Sequence, residues 1–269
     1  MSESDAALIV TTALARGIRR FDTAPAYGEA ETRLGRALGA NGTVWTKVGR
    51  AEAHTCDYAQ RLFEEVEQSR HRLRRQWIDA LQWHNWTPAI GELPWFRHAW
   101  KRLRSDERIR ALGASTYGPA DAAAAVDSGM FDLVHVEWNL LNQGVVRTIE
   151  VRARQTNVTI AVRSVFLQGA LTGDGRPLPP VPGLARAVER VRTAAARCRL
   201  PVSHLALRAA LDTPGITYVL VGIDHPSQID VVASICAASR LTVEQQKAVR
   251  ELDLDGDPAV DPRSWLQRG

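Results

Sequence analysis

The sequence predicts an α/β protein whose parallel strands form a (β/α)8 barrel, and three observations support this fold class. Short β-branched or apolar runs alternate with amphipathic stretches, a pattern typical of consecutive strand–helix units. The length of 269 residues suits a single barrel domain over residues 1–269, because such barrels take roughly 250 residues. A doubly wound sheet also has parallel strands, but no G-x-G-x-x-G or P-loop segment follows a strand here, and polar residues end successive strands, as in barrel enzymes.

Seven candidate strands follow one another along the chain. They cover residues 19–22, 43–47, 78–83, 109–114, 133–138, 159–164 and 218–222. Helical patterns occur near residues 28–40, 57–75, 93–105, 119–128, 145–156, 183–198, 202–212, 226–238 and 242–252. Pro119 and Pro226 suit helix starts, because the fixed φ of proline fits the first helical turn.

Two stretches fall outside this alternation. Residues 165–183 are rich in Gly and Pro and form the only extended irregular segment within the sequence pattern, and a loop of this length is usually functional. The C-terminal tail is expected to cross the body of the protein and to dock through Trp265.

The composition argues against several classes of protein. The 34 basic and 30 acidic residues are interspersed and form no basic stripe, so no nucleic-acid partner is expected. No apolar run approaches the roughly 18 residues of a membrane span, and the N-terminal segment lacks the basic start of a signal peptide, so we expect a cytoplasmic protein without a membrane partner. Cys56, Cys198 and Cys236 lie far apart, which predicts neither a disulfide framework nor a metal site.

Four polar residues lie at the ends of the first three strands. Asp22 ends the first strand, Tyr27 follows in the turn, Lys47 ends the second strand and His84 ends the third. Each has an ordinary alternative role, as a turn cap, a packing aromatic, a strand-end lysine reaching solvent and a core histidine. Lys47 is one of three lysines in the chain and lies in an apolar run. The occurrence of all four on consecutive strand ends favours a shared chemical role.

Together these four side chains can deliver a proton. A tyrosine with its ordinary pKa near 10 is a poor acid at neutral pH, and we expect the Lys47 ammonium to lower the pKa of Tyr27. Asp22 would keep Lys47 charged, and His84 would donate to a carbonyl oxygen and orient it. Such a site protonates the alkoxide that forms when a nucleophile attacks a carbonyl carbon, and a nicotinamide hydride is the obvious candidate.

The sequence resembles the aldo-keto reductase superfamily from about residue 5 to the C-terminus. The segment GIRRFDTAPAYG resembles the family's Gly-Ile-x-x-Phe-Asp-Thr-Ala-x-x-Tyr-Gly motif, and TKVG and IDALQWHN resemble the segments of the catalytic lysine and histidine. Further similar segments follow in the family's order: IRALGASTYG, LVHVEWNLLNQ, VRSVFLQGALTG and YVLVGIDHPSQI.

The resemblance implies a (β/α)8 barrel that uses NADP or NAD and reversibly reduces an aldehyde or ketone. It implies that Tyr27 is the general acid, that Lys47 and Asp22 modulate it, and that His84 orients the carbonyl. Other residues are implied to bind the cofactor: Ser115, Thr116 and His135 the nicotinamide amide, Arg163 the ring, Ser164, Phe166 and Gln168 the pyrophosphate, and Gly222, Asp224 and Gln228 the adenosine end.

The N-terminus departs from the family pattern. The family begins with a Gly-rich first strand, whereas this chain begins with a helical pattern over residues 4–16. We therefore expect the first barrel strand to be missing or to be replaced, for example by the β-branched residues 9–12; a native start upstream of Met1 is the other alternative. A missing strand exposes a sheet edge, which a homodimer would cover.

Two cofactor segments also depart from the family. Thr116 and His135 stand where Asn and Gln are common, and a histidine there would add pH dependence. The adenosine segment has Val231 and Val232 in place of a Glu-Asn pair, and Asp224 would repel a 2′-phosphate while accepting from a ribose hydroxyl. NAD is therefore at least as plausible as NADP, with binding weakened or lost.

Two functions follow from these residues. The first is an NAD(P)H-dependent carbonyl oxidoreductase, and the alternative is a redox-neutral lyase, isomerase or cyclase that reuses the same acid–base residues without nicotinamide. The substrate is expected to be a small or medium carbonyl compound, with polar contacts from Arg50 and from residues 165–183. Four tryptophans near strand ends are either an aromatic pocket or part of the core: Trp45, Trp83, Trp86 and Trp138.

Overall fold

A sheet of seven parallel strands forms the centre of the fold in the computed structural model, which describes residues 1–49, 58–175, 177–254 and 256–265. The strands are β1 (Arg20–Asp22), β2 (Thr43–Val48), β3 (Ala80–Trp83), β4 (Leu112–Ser115), β5 (Leu133–Glu137), β6 (Thr159–Arg163) and β7 (Ile216–Val219). Each strand pairs with its neighbour in sequence, in the order β1 to β7. The seven predicted strands are confirmed, and β3 and β4 begin later than predicted because Ile78 and Ile109 pair only through an isolated bridge.

Helices follow the strands in the alternation that the sequence predicts. The α-helices of the described residues are α1 (Glu3–Ala15), α2 (Ala30–Leu38), α3 (Tyr58–Leu73), α4 (Pro88–Glu92), α5 (Pro94–Arg104), α6 (Gly118–Asp127), α7 (Gly144–Gln155), α8 (Leu184–Cys198), α9 (Val202–Asp212), α10 (Ser227–Ala237), α11 (Val243–Arg250) and α12 (Pro262–Trp265). Residues 9–12 lie inside α1, so the alternative in which they replace the first strand is wrong. Ser2 caps this helix through a capping box with Asp5, which favours the helical state over a strand.

The two ends of the sheet approach each other at a seam between β1 and β7. No strand pair of the described sheet joins β1 to β7. Side chains cross the seam instead: the Arg20 guanidinium lies 4.5 Å from the centre of the Tyr218 ring, which also meets the Trp45 ring edge-on at 5.1 Å. On the outer layer, Arg16, which directly follows α1, pairs with Asp230 of α10 at 2.7 Å. The described structure is therefore a curled seven-stranded (β/α) barrel of parallel topology.

A buried carboxylate fixes helices α2 and α3 to the sheet. Glu31 of α2 is fully buried and accepts hydrogen bonds from Thr46 of β2 at 2.6 Å and from Ser69 of α3 at 3.3 Å. It also forms an ion pair with Arg72 of α3 at 2.6 Å. Because a buried charge is costly without partners, this set of contacts positions β2 firmly beneath the candidate site.

The C-terminal tail docks on the barrel as the sequence predicts. Trp265 packs against the main hydrophobic core, and its indole nitrogen donates to the Ala259 carbonyl at 3.1 Å. The tail contains a 3-10 turn (Pro258–Val260) capped by Asp257, so it is coiled rather than fully extended. None of the described helices combines the length and the apolarity needed to cross a bilayer.

Candidate active site

The carboxyl ends of the first three strands bring the four predicted catalytic side chains to one rim. Asp22 is the last residue of β1, Lys47 is the penultimate residue of β2, and His84 directly follows β3. Tyr27 ends a 3-10 turn (Pro25–Tyr27) that begins directly after Ala24, and the fixed φ of Pro25 suits the start of that turn. Parallel strands end on the same side of a barrel, so the topology alone places these side chains together.

Lys47 and Asp22 form a buried ion pair. The Lys47 Nζ atom lies 2.5 Å from Asp22 Oδ2 and also donates to the Thr23 carbonyl at 2.9 Å. The Lys47 side chain is 1% exposed and that of Asp22 is 15% exposed. Burial raises the pKa of Asp22 and lowers the pKa of Lys47, and the close opposite charge of each partner acts against both shifts. The pair therefore holds one positive and one negative charge in fixed positions at the ends of β1 and β2.

Tyr27 and His84 lie next to this pair. The Lys47 Nζ atom is 5.2 Å from the centre of the Tyr27 ring, and the Tyr27 and His84 rings meet edge-on with centroids 6.2 Å apart. Tyr27 is 50% exposed, so its ring is open to a ligand that approaches from solvent. The backbone of His84 is held by a hydrogen bond from its N–H to the Val48 carbonyl at 2.8 Å.

The protonation of the two rings differs in part from the sequence-based expectation. Burial raises the pKa of Tyr27 to about 12, and the Asp22 carboxylate adds to the rise. The expectation that this pKa is lowered is wrong, because burial and the Asp22 carboxylate raise it by more than nearby positive charge lowers it. Burial, with the charges of Lys47 and Arg163, lowers the pKa of His84 to about 4. At neutral pH the site thus presents a protonated phenol and a neutral imidazole.

Gln82 connects the ion pair to His135 and was missed by the sequence-based search. Its amide nitrogen donates to Asp22 Oδ1 at 3.1 Å, and its amide oxygen lies 3.2 Å from His135 Nδ1. Gln82 is fully buried in β3, two residues before His84, so the two side chains share one face of the strand. A polar residue at this spacing from a candidate catalytic histidine is the signal that would have found it.

The residues predicted to contact the nicotinamide lie at the ends of β4 and β6 and in the middle of β5. Ser115 and His135 pair in register, and the Thr116 N–H donates to the His135 carbonyl at 3.1 Å. Arg163 donates to the Thr116 carbonyl at 2.9 Å and lies 4.2 Å from the Tyr117 ring centre. Burial lowers the pKa of His135 well below its usual range, so the expected pH dependence at this position is wrong.

The remaining predicted cofactor residues line one cavity of about 560 Å3 beside the ends of β6 and β7. The predicted residues among its lining are Ser164, Phe166, Gln168, Gly222, Asp224 and Gln228. The Gln228 amide oxygen accepts from the backbone N–H groups of Asp224 and His225 at 2.8 and 3.1 Å, which fixes the loop at this end of the cavity. The predicted catalytic residues and these predicted cofactor residues thus form two groups, one at the ends of β1 to β3 and one in the cavity beside the ends of β6 and β7.

The loop after β6 has a strained backbone at the cavity wall. Ser164, Leu167 and Gln168 have φ values of 64°, 46° and 51°, in the left-handed region that non-glycine residues rarely adopt. Such residues cost of the order of 1–3 kcal/mol each and cluster at ligand sites. The strain supports the prediction that the segment after β6 is functional.

The four tryptophans near strand ends belong to the core rather than to a pocket. Trp83, Trp86 and Trp138 are 1–2% exposed and belong to the main core, and Trp45 packs inside the barrel, so the core alternative holds for all four tryptophans. Arg50 and Cys56 lie outside the described residues. The described residues contain no group of three or more His, Cys, Asp or Glu side chains able to hold a metal ion.

Fold and site together define a class of protein, the barrel enzymes that carry their chemistry at the carboxyl ends of parallel strands. Within that class the chain belongs to the aldo/keto reductase family, whose profile matches residues 1–254. It is therefore an oxidoreductase of the aldo-keto reductase type, a family that typically uses NAD(P)H.

Several known proteins are similar to the chain. The Aldo-keto reductase YhdN of Bacillus subtilis is 26% identical, covering 90% of this chain and 82% of that protein. The NADH-specific methylglyoxal reductase of Escherichia coli is 24% identical, covering 79% and 77%, and the L-galactose dehydrogenase of Arabidopsis thaliana is 27% identical, covering 91% and 82%. The holo form of the aldo-keto reductase AKR11C1 from Bacillus halodurans superposes with a TM-score of 0.80 at 24% identity, covering 93% of this chain and 88% of that chain.

Proposed function

We propose that the protein reduces an aldehyde or ketone with a nicotinamide cofactor, and that Tyr27 supplies the proton. The observation that carries this proposal is the buried Lys47–Asp22 ion pair next to a half-exposed, protonated phenol and a neutral imidazole. A proton donor must hold its proton at working pH, and the raised pKa of Tyr27 ensures this.

The neighbours of Tyr27 suit the product of proton loss. When Tyr27 gives its proton to the forming alkoxide, a phenolate appears beside the Lys47 ammonium, whose positive charge stabilises it. Solvent can return the proton because the tyrosine is half exposed. The neutral His84 imidazole donates an N–H to the substrate oxygen and orients the carbonyl group. The bound nicotinamide supplies the hydride.

The residues of the cavity fit a nucleotide, and we propose NAD(H) as the preferred one. The buried Thr116 Oγ1 and His135 Nε2 atoms have no partner among the described residues. The cavity of about 560 Å3 is lined by the loop that follows β6 and by residues after β7. Asp224 lines the cavity, and none of the described lining residues is Lys or Arg. A 2′-phosphate would meet a carboxylate without a basic partner, whereas a ribose hydroxyl can donate to it.

The substrate class is a small or medium carbonyl compound. Two relatives provide starting probes, because their names give methylglyoxal as the substrate of one and L-galactose as that of the other. Methylglyoxal tests the reduction direction and L-galactose tests alcohol oxidation. The protonated state of Tyr27 favours reduction, since oxidation needs the phenolate as a base.

The decisive experiment compares Tyr27→Phe with Tyr218→Phe. General acid catalysis contributes about 10²–10⁴ in rate, so Tyr27→Phe should lower turnover by at least about a hundredfold. The same variant should bind NADH as the unaltered protein does, measured by quenching of tryptophan fluorescence. Tyr218 lies inside the barrel against Trp45, and its variant should keep its activity. If Tyr27→Phe turned over as fast as Tyr218→Phe and the unaltered protein, the proposal would be refuted.

Nucleotide preference is tested by the same titration. The dissociation constant for NADPH should exceed that for NADH, and Asp224→Ser should bring the ratio of these two constants closer to one. An unaltered ratio in this variant would exclude Asp224 as the residue that determines nucleotide preference.

The redox-neutral alternative predicts turnover without any nicotinamide, and the retained cavity gives it no specific support. The homodimer is still a prediction, and sedimentation at high protein concentration tests it.

A further inference from the structure

An asparagine followed by a glycine lies on the surface of the protein, where the chain enters β2. Asn41 and Gly42 belong to the connection between α2 and β2, and Asn41 is exposed. Asn41 is the only asparagine in the chain that precedes a glycine. The backbone nitrogen of a residue can attack the side-chain amide of a preceding asparagine, and glycine hinders this attack least because it has no Cβ. Asn41 therefore meets the steric requirement of that reaction.

The Arg75 guanidinium binds the two backbone carbonyls that flank the Gly42 nitrogen. It donates to the Asn41 carbonyl at 2.5 Å and to the Gly42 carbonyl at 3.4 Å. When the Gly42 N–H loses its proton, the negative charge is shared with the Asn41 backbone oxygen, because both atoms belong to one peptide bond. A hydrogen bond from a cation to the charged form favours that form, so Arg75 stabilises the attacking nitrogen.

The amide nitrogen of the Asn41 side chain, which would leave, also has a suitable partner. Asn41 Nδ2 donates to the Leu38 carbonyl at 3.3 Å. Positive charge develops on this nitrogen as it takes up a proton and departs, and a carbonyl dipole that already faces it stabilises that charge. The contacts of Arg75 and Leu38 thus act on the two ends of the same displacement.

We propose that Asn41 is a site of spontaneous backbone modification, and that Arg75 promotes its reaction with Gly42. The Gly42 nitrogen loses its proton to solvent and forms a bond to Asn41 Cγ. The Cγ–Nδ2 bond breaks, and Nδ2 takes a proton from solvent and leaves as ammonia. The resulting succinimide ring then takes up one water molecule, which opens either of its carbonyls and gives aspartate or isoaspartate. The reaction exchanges ammonia for water, and no atom is oxidised or reduced.

The isoaspartate product would disturb the pairing of β1 with β2. The Thr43 N–H donates to the Arg19 carbonyl at 2.7 Å, and Thr43 is the register partner of Arg20. Isoaspartate adds one methylene carbon to the main chain just before this pair. A Cβ built on Gly42 would already lie 2.7 Å from the Arg19 carbonyl oxygen, so there is no room on that side for the extra atom. We therefore expect the isoaspartate form to unfold at a lower urea concentration than the unmodified protein.

The experiment incubates the full chain at mildly alkaline pH and measures the masses of its peptides over time. Replacement of an amide by an acid changes the mass of a peptide, whereas isomerisation at the Asp-Gly pairs of the chain leaves it unchanged. Asn85 and Asn157 are internal controls, because both are exposed but precede Trp86 and Val158, whose side chains hinder ring closure. The peptide that contains Asn41 should convert first, and Asn41→Gln should abolish this conversion.

Variants of Arg75 separate promotion by the fold from the intrinsic reactivity of the pair. Arg75→Met should slow the conversion about threefold to tenfold, because a smaller fraction of the attacking nitrogen is ionised, and Arg75→Lys should recover part of the rate. Arg74→Met is the matched control, since it removes a neighbouring exposed charge and should react as the unaltered protein does. In guanidinium chloride, where the fold no longer holds Arg75 in place, all four proteins should react at the same rate.

Two outcomes would overturn the proposal. The first is a folded Arg75→Met protein that converts as fast as the unaltered protein or faster, which would show that the guanidinium restrains the loop rather than activates it. The second is an Asn41 that stays intact in the folded protein while it converts in guanidinium chloride. Both results are independent of whether the protein reduces carbonyl compounds.

Discussion

Replacement of Asp22 by Asn removes one half of the buried ion pair and leaves the Lys47 ammonium without its counter-charge. Lys47 is 1% exposed and would keep the hydrogen bond to the Thr23 carbonyl, but the nearest opposite charge would be lost. Removing one partner of a buried pair costs about 3–5 kcal/mol. Asp22 is 15% exposed and the Asn oxygen can still accept a hydrogen bond, which places the expected loss in the free energy of unfolding near the lower limit, about 3 kcal/mol.

Urea unfolding at neutral pH, followed by tryptophan fluorescence, measures this loss. The double variant Asp22→Asn/Lys47→Met removes the stranded charge and should recover most of it, because an apolar replacement of a buried pair is often neutral. The matched control is Asp230→Asn, which breaks the exposed pair with Arg16 and should cost about 0–1 kcal/mol. Two outcomes would contradict this prediction: a loss in unfolding free energy for Asp22→Asn no greater than that for the control, or a double variant no more stable than Asp22→Asn alone.

Three further predictions follow from the geometry. His84, with its pKa of about 4, stays neutral where an exposed histidine protonates, so the activity should show no inflection near the ordinary histidine pKa. The unfolded chain does protonate there, so stability should fall as the pH drops from about 6.5 to about 4, and this component should vanish in His84→Gln. Carbonyl reduction should show no alkaline decline from Tyr27 below about pH 10, because its pKa is about 12, and a rate profile with an inflection near neutral pH would contradict this. Gly49→Ala should lower the free energy of unfolding by more than about 2 kcal/mol, since Gly49 has a φ of +90° and an added Cβ would lie 2.5 Å from the Trp83 ring. The control is Gly129→Ala, where φ is also positive but the space is open, and it should cost about 1 kcal/mol. Equal urea midpoints for the two variants would contradict the predicted clash with Trp83.

The order of the strands and helices was predictable because local signals agree with the fold. The strands are short apolar runs bounded by polar segments, and the helices carry one apolar face. The start of β4 was predicted three residues early, since Ile109 has strand-like chemistry but meets only Ile78. The seam contacts of Arg20 with Tyr218 lie beyond sequence analysis, because they join opposite ends of the sheet.

The candidate site was predictable in its residues but not in its electrostatics. Strand-end position and residue chemistry singled out Asp22, Lys47 and His84, which require only the topology to meet. The pKa directions depend on burial and on pairing between strands, so the rise in the pKa of Tyr27 could not be predicted. The position of Gln82, two residues before His84, indicates that the two side chains share a face of the strand, but the role of Gln82 depends on its contacts with Asp22 and His135, which only the structure shows.

The seam between β1 and β7 has a consequence for how the chain folds. Every strand pair in the described sheet joins consecutive strands, so each pairing requires only the closure of one strand–helix connection. A fully closed ring adds a pairing between its first and last strands, whose entropic cost includes nearly the whole chain. In the described sheet, the contact between Arg20 and Tyr218 at that boundary is made by side chains. The seven described strands can thus pair from an internal nucleus toward both ends, as in a linear repeat protein, without a backbone pairing between β1 and β7.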